Sequence, residues 1–147
     1  MEPTTWDGLP VSAEQPFGAS VVVWRRNGES REWLLLHRHH HGRDYEGAWA
    51  WTPPSGARFP GEAVEDCAQR ELREETGLTL DCVPTELGGA DWPVYTAEAP
   101  AGAEIVLDDE HDRFVWLPLE DAVARCLPAV VGETIAAVAA YLDQGAK

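Results

Sequence analysis

Apolar residues first gather at positions 19–24 (ASVVVW), a β-branched run that predicts a buried strand. Positions 32–37 (EWLLLH) predict a second strand, and Asn27-Gly28 between them predicts a turn, so the two form a hairpin. After a polar loop at 38–47, positions 48–55 (AWAWTPPS) are short, aromatic and stiff, because Pro53-Pro54 fixes φ and excludes helix. The period then becomes helical from 62 or 63 up to Gly77, a natural C-terminal cap. Further strands are expected at 78–83 (LTLDCV), 93–98 (PVYTAE), 104–107 (EIVL) and 113–117 (RFVWL), with loops at 84–91, 99–103 and 108–112. A short helix at 119–127 and a terminal helix at 132–142 complete the pattern, the latter with Ile135, Val138, Ala139 and Leu142 on one stripe. Strands interspersed with helices, without an internal repeat, predict a layered α/β or α+β fold. Positions 1–16 are polar with three prolines and read as an N-terminal arm; positions 17–147 suffice for a single domain with a real core.

Charge narrows the choice of partner. The chain carries 26 acids against 11 Lys and Arg, a net charge of −15. A nucleic-acid polymer or an anionic membrane needs a positive surface, so both are disfavoured. A polyanionic small substrate would need cations to mediate its approach. Cys67, Cys82 and Cys126 lack metal-type spacing and read as reduced thiols of a cytoplasmic protein. Neither a secretory signal nor a membrane span is visible. His39, His40 and His41 lack a Cys or acidic partner at ligand spacing, so a solvated or phosphate-facing loop with Arg38 and Arg43 is the better reading than structural zinc. Trp49 and Trp51 can line a pocket or fill a core.

The helix expected after residue 62 holds the candidate chemistry. With Val64 at zero and about 100° per residue, Ala68, Leu72 and Cys67 define the apolar stripe. Glu75 falls at roughly 20°, Glu71 at roughly 340° and Glu74 at roughly 280°, on or beside that stripe. Glu65, Gln69 and Arg73 fall opposite. Three carboxylates directed inward within one turn repel one another and lose hydration. Mg²⁺, Mn²⁺ or Ca²⁺ would neutralise them, since clustered carboxylates are hard oxygen ligands. The competing reading is a salt-bridged surface helix, with Arg70 on Glu74 and Arg73 on Glu62 or Asp66.

Gly56, Glu62, Arg70-Glu71-Leu72, Glu74-Glu75 and Gly77-Leu78, at these spacings, resemble a complete Nudix box. The element order over roughly 17–142 is similar to the Nudix α/β/α sandwich with its mixed central sheet. This resemblance implies hydrolysis of a nucleoside diphosphate linked to another group, with Mg²⁺ or Mn²⁺ as cofactor. It implies that Glu74 and Glu75 bind metal, that Glu71 binds metal or acts as base, and that Arg70 holds the glutamates. It also implies a metal contact from the Ser55 backbone carbonyl, although many members have glycine there. Trp51 to Gly56 (WTPPSG), Pro60-Gly61-Glu62, and Glu110-His111 followed by Phe114 to Ala122 are similar to the asymmetric diadenosine tetraphosphate (Ap4A) hydrolases. That likeness implies a further metal ligand in Glu110, nucleotide contacts from Trp51, Tyr95, His111 and Phe114, and phosphate contacts from Arg38 and Arg43. A dinucleoside polyphosphate is the favoured substrate. A nucleoside, deoxynucleoside or pterin triphosphate pyrophosphatase is the alternative, and a non-catalytic nucleotide sensor is the reading of another class. Monomer and homodimer both stay open.

Overall fold

The structure, a computed structural model, describes Thr4 and residues 8–145. The hairpin forms as its turn dipeptide predicts: β1 (Gly18–Asn27) and β2 (Ser30–Arg38) are antiparallel, with Trp24 opposite Trp33 and Asn27 opposite Ser30. Both strands are buried for most of their length, because layers cover both faces of the sheet. β3 (Trp51–Thr52), β4 (Ser55–Ala57), β5 (Val83–Leu87), β6 (Val94–Glu98) and β7 (His111–Pro118) complete the sheet. Its order is β3-β2-β1-β6-β5, with β4 paired to β1 and β7 to β2. The β1–β6 pair is parallel and the others antiparallel, so the sheet is mixed.

Alternation along β1 and β2 separates two cores. Val21, Val23, Leu34 and Leu36 pack with Cys67, Ala68 and Leu72 of α1 (Val64–Thr76). Val22, Trp24, Trp33 and Leu35 pack the other way, with Ala122 of α2 (Leu119–Arg125) and Ile135 and Val138 of α3 (Ala129–Gly145). The result is the expected α/β/α sandwich. Each buried Leu or Val contributes about 1.5–3 kcal/mol. Among the described residues no helix is long and apolar enough to cross a membrane.

Three expectations change. Residues 78–82 alternate as a strand should, with Leu78, Leu80 and Cys82 against the α1-side core, but they join no ladder. Instead Gln69 Nε2 donates to the Leu80 carbonyl at 2.9 Å, so Gln69 is not simply solvated. The strand comes later, at β5, which lies at the sheet edge where Pro84 sacrifices no ladder bond. Residues 104–107 are likewise unpaired, and the Val106 N–H donates to the Thr76 carbonyl at 2.8 Å. The last two helices are redistributed: the first is shorter than expected, and α3 begins at Ala129 rather than residue 132.

The arm expected over 1–16 lies partly outside the described residues. Of its described part, residues 12–16 are tied down by Arg58. The Arg58 guanidinium is buried and donates to the Pro16 carbonyl (2.6 Å), the Ser12 hydroxyl (2.8 Å), the Glu14 carbonyl (3.0 Å) and the Glu62 carbonyl (2.7 Å).

Candidate active site

Helix α1 delivers the acids. Acidic Glu65 and Asp66 in its first turn suit the helix dipole, and Gly77, at φ 75°, ends it by donating to the Arg73 carbonyl. Exposure of the three glutamates follows their angular distance from the apolar stripe. Glu75 is 2% exposed, the Glu71 side chain 12%, and the Glu74 side chain 51%. Glu74 therefore stands at the rim rather than facing inward.

Arg70 organises the cluster. Nε and one terminal nitrogen hold Glu62 at 2.8 and 2.9 Å, and the other terminal nitrogen reaches Glu71 at 2.7 Å and Glu74 at 3.3 Å. It also donates to the Ala57 carbonyl at 2.9 Å and stacks on Phe59, 3.9 Å from the ring centroid. Burial opposes the Arg70 charge, but the bond it donates to Glu62 and the Glu71 and Glu62 charges outweigh it and raise its pKa. Burial also works against the Glu62 charge, yet the Arg70 bond dominates and lowers the Glu62 pKa. The salt-bridged reading was thus half right: Arg70 does pair with Glu74, but its main partners are Glu62 and Glu71. Arg73 meets neither Glu62 nor Asp66.

β4 closes the cluster from the other side. Glu71 lies so close to Gly56 that a Cβ at that position would overlap its carboxyl group. The Ser55 N–H donates to Glu75 Oε1 at 3.2 Å, so the visible Ser55 contact is through its amide. Burial raises the Glu71 pKa despite the bond from Glu75 and the Arg70 charge. It raises that of Glu75 further, with the Glu71 bond and charge and the Glu110 charge adding to it and only the Ser55 amide opposing. Two such carboxyls can coexist by sharing a proton or by facing a cation. The donor set fits a hard divalent cation: Glu71, Glu75 and Glu74 on α1, and Glu110 in the loop before β7. Asp108, Glu110 and His111 also bring ligand atoms within 4.8 Å of one another.

Beside the cluster, and sharing Ser55 with it, lies a cavity of about 470 Å³. Its walls include Arg38, Trp49, Thr52, Trp92, Val94 and Val130, mostly apolar with a few polar groups, as ligand cavities are. The side chain of Arg38 makes no hydrogen bond or ion pair among the described residues, and its Nε is buried. Such a cation, in a chain this acidic, is suited to an anionic or acceptor-rich ligand group. Trp49 is 54% exposed at the cavity.

The other expected contacts sit elsewhere. Trp51 is buried in the α2/α3-side core, packed at a tilt against the His37 ring and flanked by Arg113 and Arg125, with Nε1 donating to Glu46 at 3.0 Å. Tyr95 is buried in the α1-side core. Phe114 is exposed on β7, opposite Leu36 and outside the cavity lining. Arg43 projects into solvent, with Nε 3.8 Å from Asp112. His111 is buried beside Glu75. His39 Nε2 meets the Asp109 carbonyl at 2.6 Å, so the histidine loop leans on the loop carrying Glu110. Sequence reasoning missed Trp92, an aromatic beside two glycines in a loop, and His37, which clamps the histidine loop. His37 Nδ1 faces Asp112 at 2.7 Å and Nε2 the Tyr45 carbonyl at 2.7 Å. Both are acceptors, so both ring nitrogens donate. Burial opposes the Asp112 charge, but the His37 bond and the His37 and Arg113 charges hold its pKa low.

Comparison with known proteins bears on this arrangement. A NUDIX domain family model matches residues 15–138. The asymmetrical bis(5'-nucleosyl)-tetraphosphatase of Caenorhabditis elegans is 30% identical over 139 residues, covering 84% of this chain and 94% of that protein. A crystal structure of a C. elegans Ap4A hydrolase binary complex superposes with TM-score 0.66 at 27% identity, covering 86% of this chain and 97% of that one. The 8-oxo-(d)GTP phosphatase of Mycolicibacterium smegmatis is 28% identical over 82% of this chain, which spans 40% of that protein.

Proposed function

The chain belongs to the Nudix family and is a metal-dependent pyrophosphohydrolase; on that premise we propose that it cleaves a dinucleoside polyphosphate such as Ap4A. The observation carrying this is the buried Glu71–Glu75 pair, organised by Arg70 and joined through Ser55 to a nucleoside-sized cavity. Likeness to asymmetrical tetraphosphatases over most of both chains supports the choice of substrate.

Glu71, Glu74, Glu75 and Glu110, with the Ser55 carbonyl, are the residues that would hold Mg²⁺ or Mn²⁺. Bound there, such an ion would supply activation of water and neutralisation of phosphate charge. One carboxylate of the Glu71–Glu75 pair is placed to accept the proton of the attacking water. Arg70 keeps Glu71 oriented. Exposed Glu74 would join the metal-holding set at the rim. Trp49 and Trp92 offer apolar surface to a nucleoside, and Arg38 offers donors to its phosphate or base. Three cysteines without a disulfide support a reducing compartment, the cytoplasm.

The alternative, a nucleoside triphosphate pyrophosphatase, is favoured by the likeness to the 8-oxo-(d)GTP phosphatase. Incubation with Ap4A, dNTPs, ADP-ribose and NADH plus Mg²⁺, followed by product identification, separates the readings. ATP plus AMP from Ap4A supports the proposal. Monophosphate plus pyrophosphate from a dNTP supports the alternative, and binding without turnover indicates a sensor.

A further inference from the structure

We propose that His111, through Nε2, is a nitrogen ligand to the metal ion held by Glu75. This rests on the hydrolase reading and adds to it a donor outside the carboxylate set. The His111 side chain is fully buried. Its Nδ1 lies 2.8 Å from Asp108 Oδ1, and a carboxylate only accepts, so Nδ1 carries the proton. The orientation of the ring is thereby set. Nε2 then points away from Asp108, is buried, and has no hydrogen-bond partner.

Its nearest charged neighbour is Glu75 Oε1, at 3.9 Å, too far for a hydrogen bond. A buried lone pair facing a buried carboxylate is unfavourable unless something positive stands between them. Two atoms that each contact one ion at about 2.0–2.2 Å can be no more than about 4.4 Å apart, so Nε2 and Oε1 are near enough to share one ion. A carboxylate on one ring nitrogen and an open second nitrogen is the arrangement of metal-ligating histidines, in which the carboxylate sets the tautomer and raises ligand basicity. Asp108 supplies that carboxylate. Glu110, next in the chain to His111, is close enough for its charge to act on Glu75, and it brings a carboxylate oxygen within 4.8 Å of a His111 ring nitrogen. A role in gripping the nucleotide fits less well, because His111 is buried and outside the cavity lining.

An imidazole donor shifts preference away from Mg²⁺ and toward Mn²⁺ and later first-row ions. The test is electron spin-echo envelope modulation of Mn²⁺ bound to the full chain. The expected spectrum contains a directly coordinated ¹⁴N coupling, which changes when histidine is ¹⁵N-labelled, a comparison that needs no variant. In His111→Gln the coupling disappears, Mn²⁺ still binds, and its Kd rises about tenfold or more, with a smaller rise for Mg²⁺. Mn²⁺ bound to the wild-type chain with oxygen ligands alone overturns the assignment and leaves the hydrolase reading standing. A nitrogen coupling that persists in His111→Gln also overturns it. Absence of Mn²⁺ binding overturns both.

Discussion

The carboxyl group of Glu71 rests against the backbone of Gly56, in space that any side chain at position 56 would occupy. Helix α1 and β4 thus approach as closely as the acid requires. Gly56→Ala should displace Glu71 from Arg70 and cost about 1–3 kcal/mol in stability. Metal affinity should fall about tenfold or more, as for loss of a supporting contact. Denaturant melts and Mn²⁺ titrations of the variant check both.

Buried carboxyls make the metal-free protein sensitive to pH in an unusual direction. Glu71 and Glu75 have pKa values raised above the ordinary 4.5. Their contribution to stability is full below that value and is lost as pH rises through the raised values. Glu62 and Asp112, whose pKa values are lowered, contribute above their ordinary values and lose that contribution as pH falls through the lowered ones. The metal-free Tm should therefore peak in mildly acidic solution and decline toward neutral pH. Mg²⁺ should raise it most at the neutral end. Glu75→Gln removes the buried charge and should raise the metal-free neutral Tm by about 2–4 °C, while abolishing the gain from Mg²⁺. Calorimetry across pH with EDTA or Mg²⁺ measures each quantity.

Two neighbouring tryptophans should behave oppositely. Trp49, exposed at the cavity, should give on replacement by alanine a KM for nucleotide raised about tenfold with little loss of stability. Trp51, enclosed by His37, Arg113 and Arg125, should on the same replacement cost about 3–5 kcal/mol. Arg38→Ala should follow Trp49, raising KM and leaving kcat near normal. Steady-state kinetics beside thermal melts distinguish the two patterns.

The glutamates were legible in the sequence because helix geometry is local: the wheel angles of Glu75, Glu71 and Glu74 rank their burial correctly. The two cores were legible because alternation in β1 and β2 is local too. What escaped depends on pairing between distant segments. Trp51 faces the core because it pairs with His37 on β2, and nothing within AWAWTPPS distinguishes it from Trp49. Tyr95 turns toward α1 through the register of β6 on β1, where it lies beside Val21. Residues 78–82 alternate like a strand but find no ladder position on the central strand β1, since β4 and β2 divide one of its edges and β6 takes the other. His37 and Arg58 are single polar residues whose partners lie on remote segments.

Arg58 makes the segment just before β1 part of the folded body. Deleting residues 1–16 would remove the Ser12, Glu14 and Pro16 acceptors from a buried guanidinium. That should cost about 2–4 kcal/mol, several times an ordinary hydrogen bond. Urea denaturation of the truncated chain gives the number. An unchanged midpoint would mean that the arm is dispensable.

The buried Glu71–Glu75 pair beside Ser55 is the centre of the proposed chemistry. Its most direct test is the initial rate of Ap4A hydrolysis at saturating Mg²⁺, compared between the wild-type chain and a folded Glu75→Gln variant. We expect turnover to fall by about a hundredfold or more, with the products of the residual reaction unchanged. A near-normal rate would contradict the assignment of Glu75 to the metal and the chemistry.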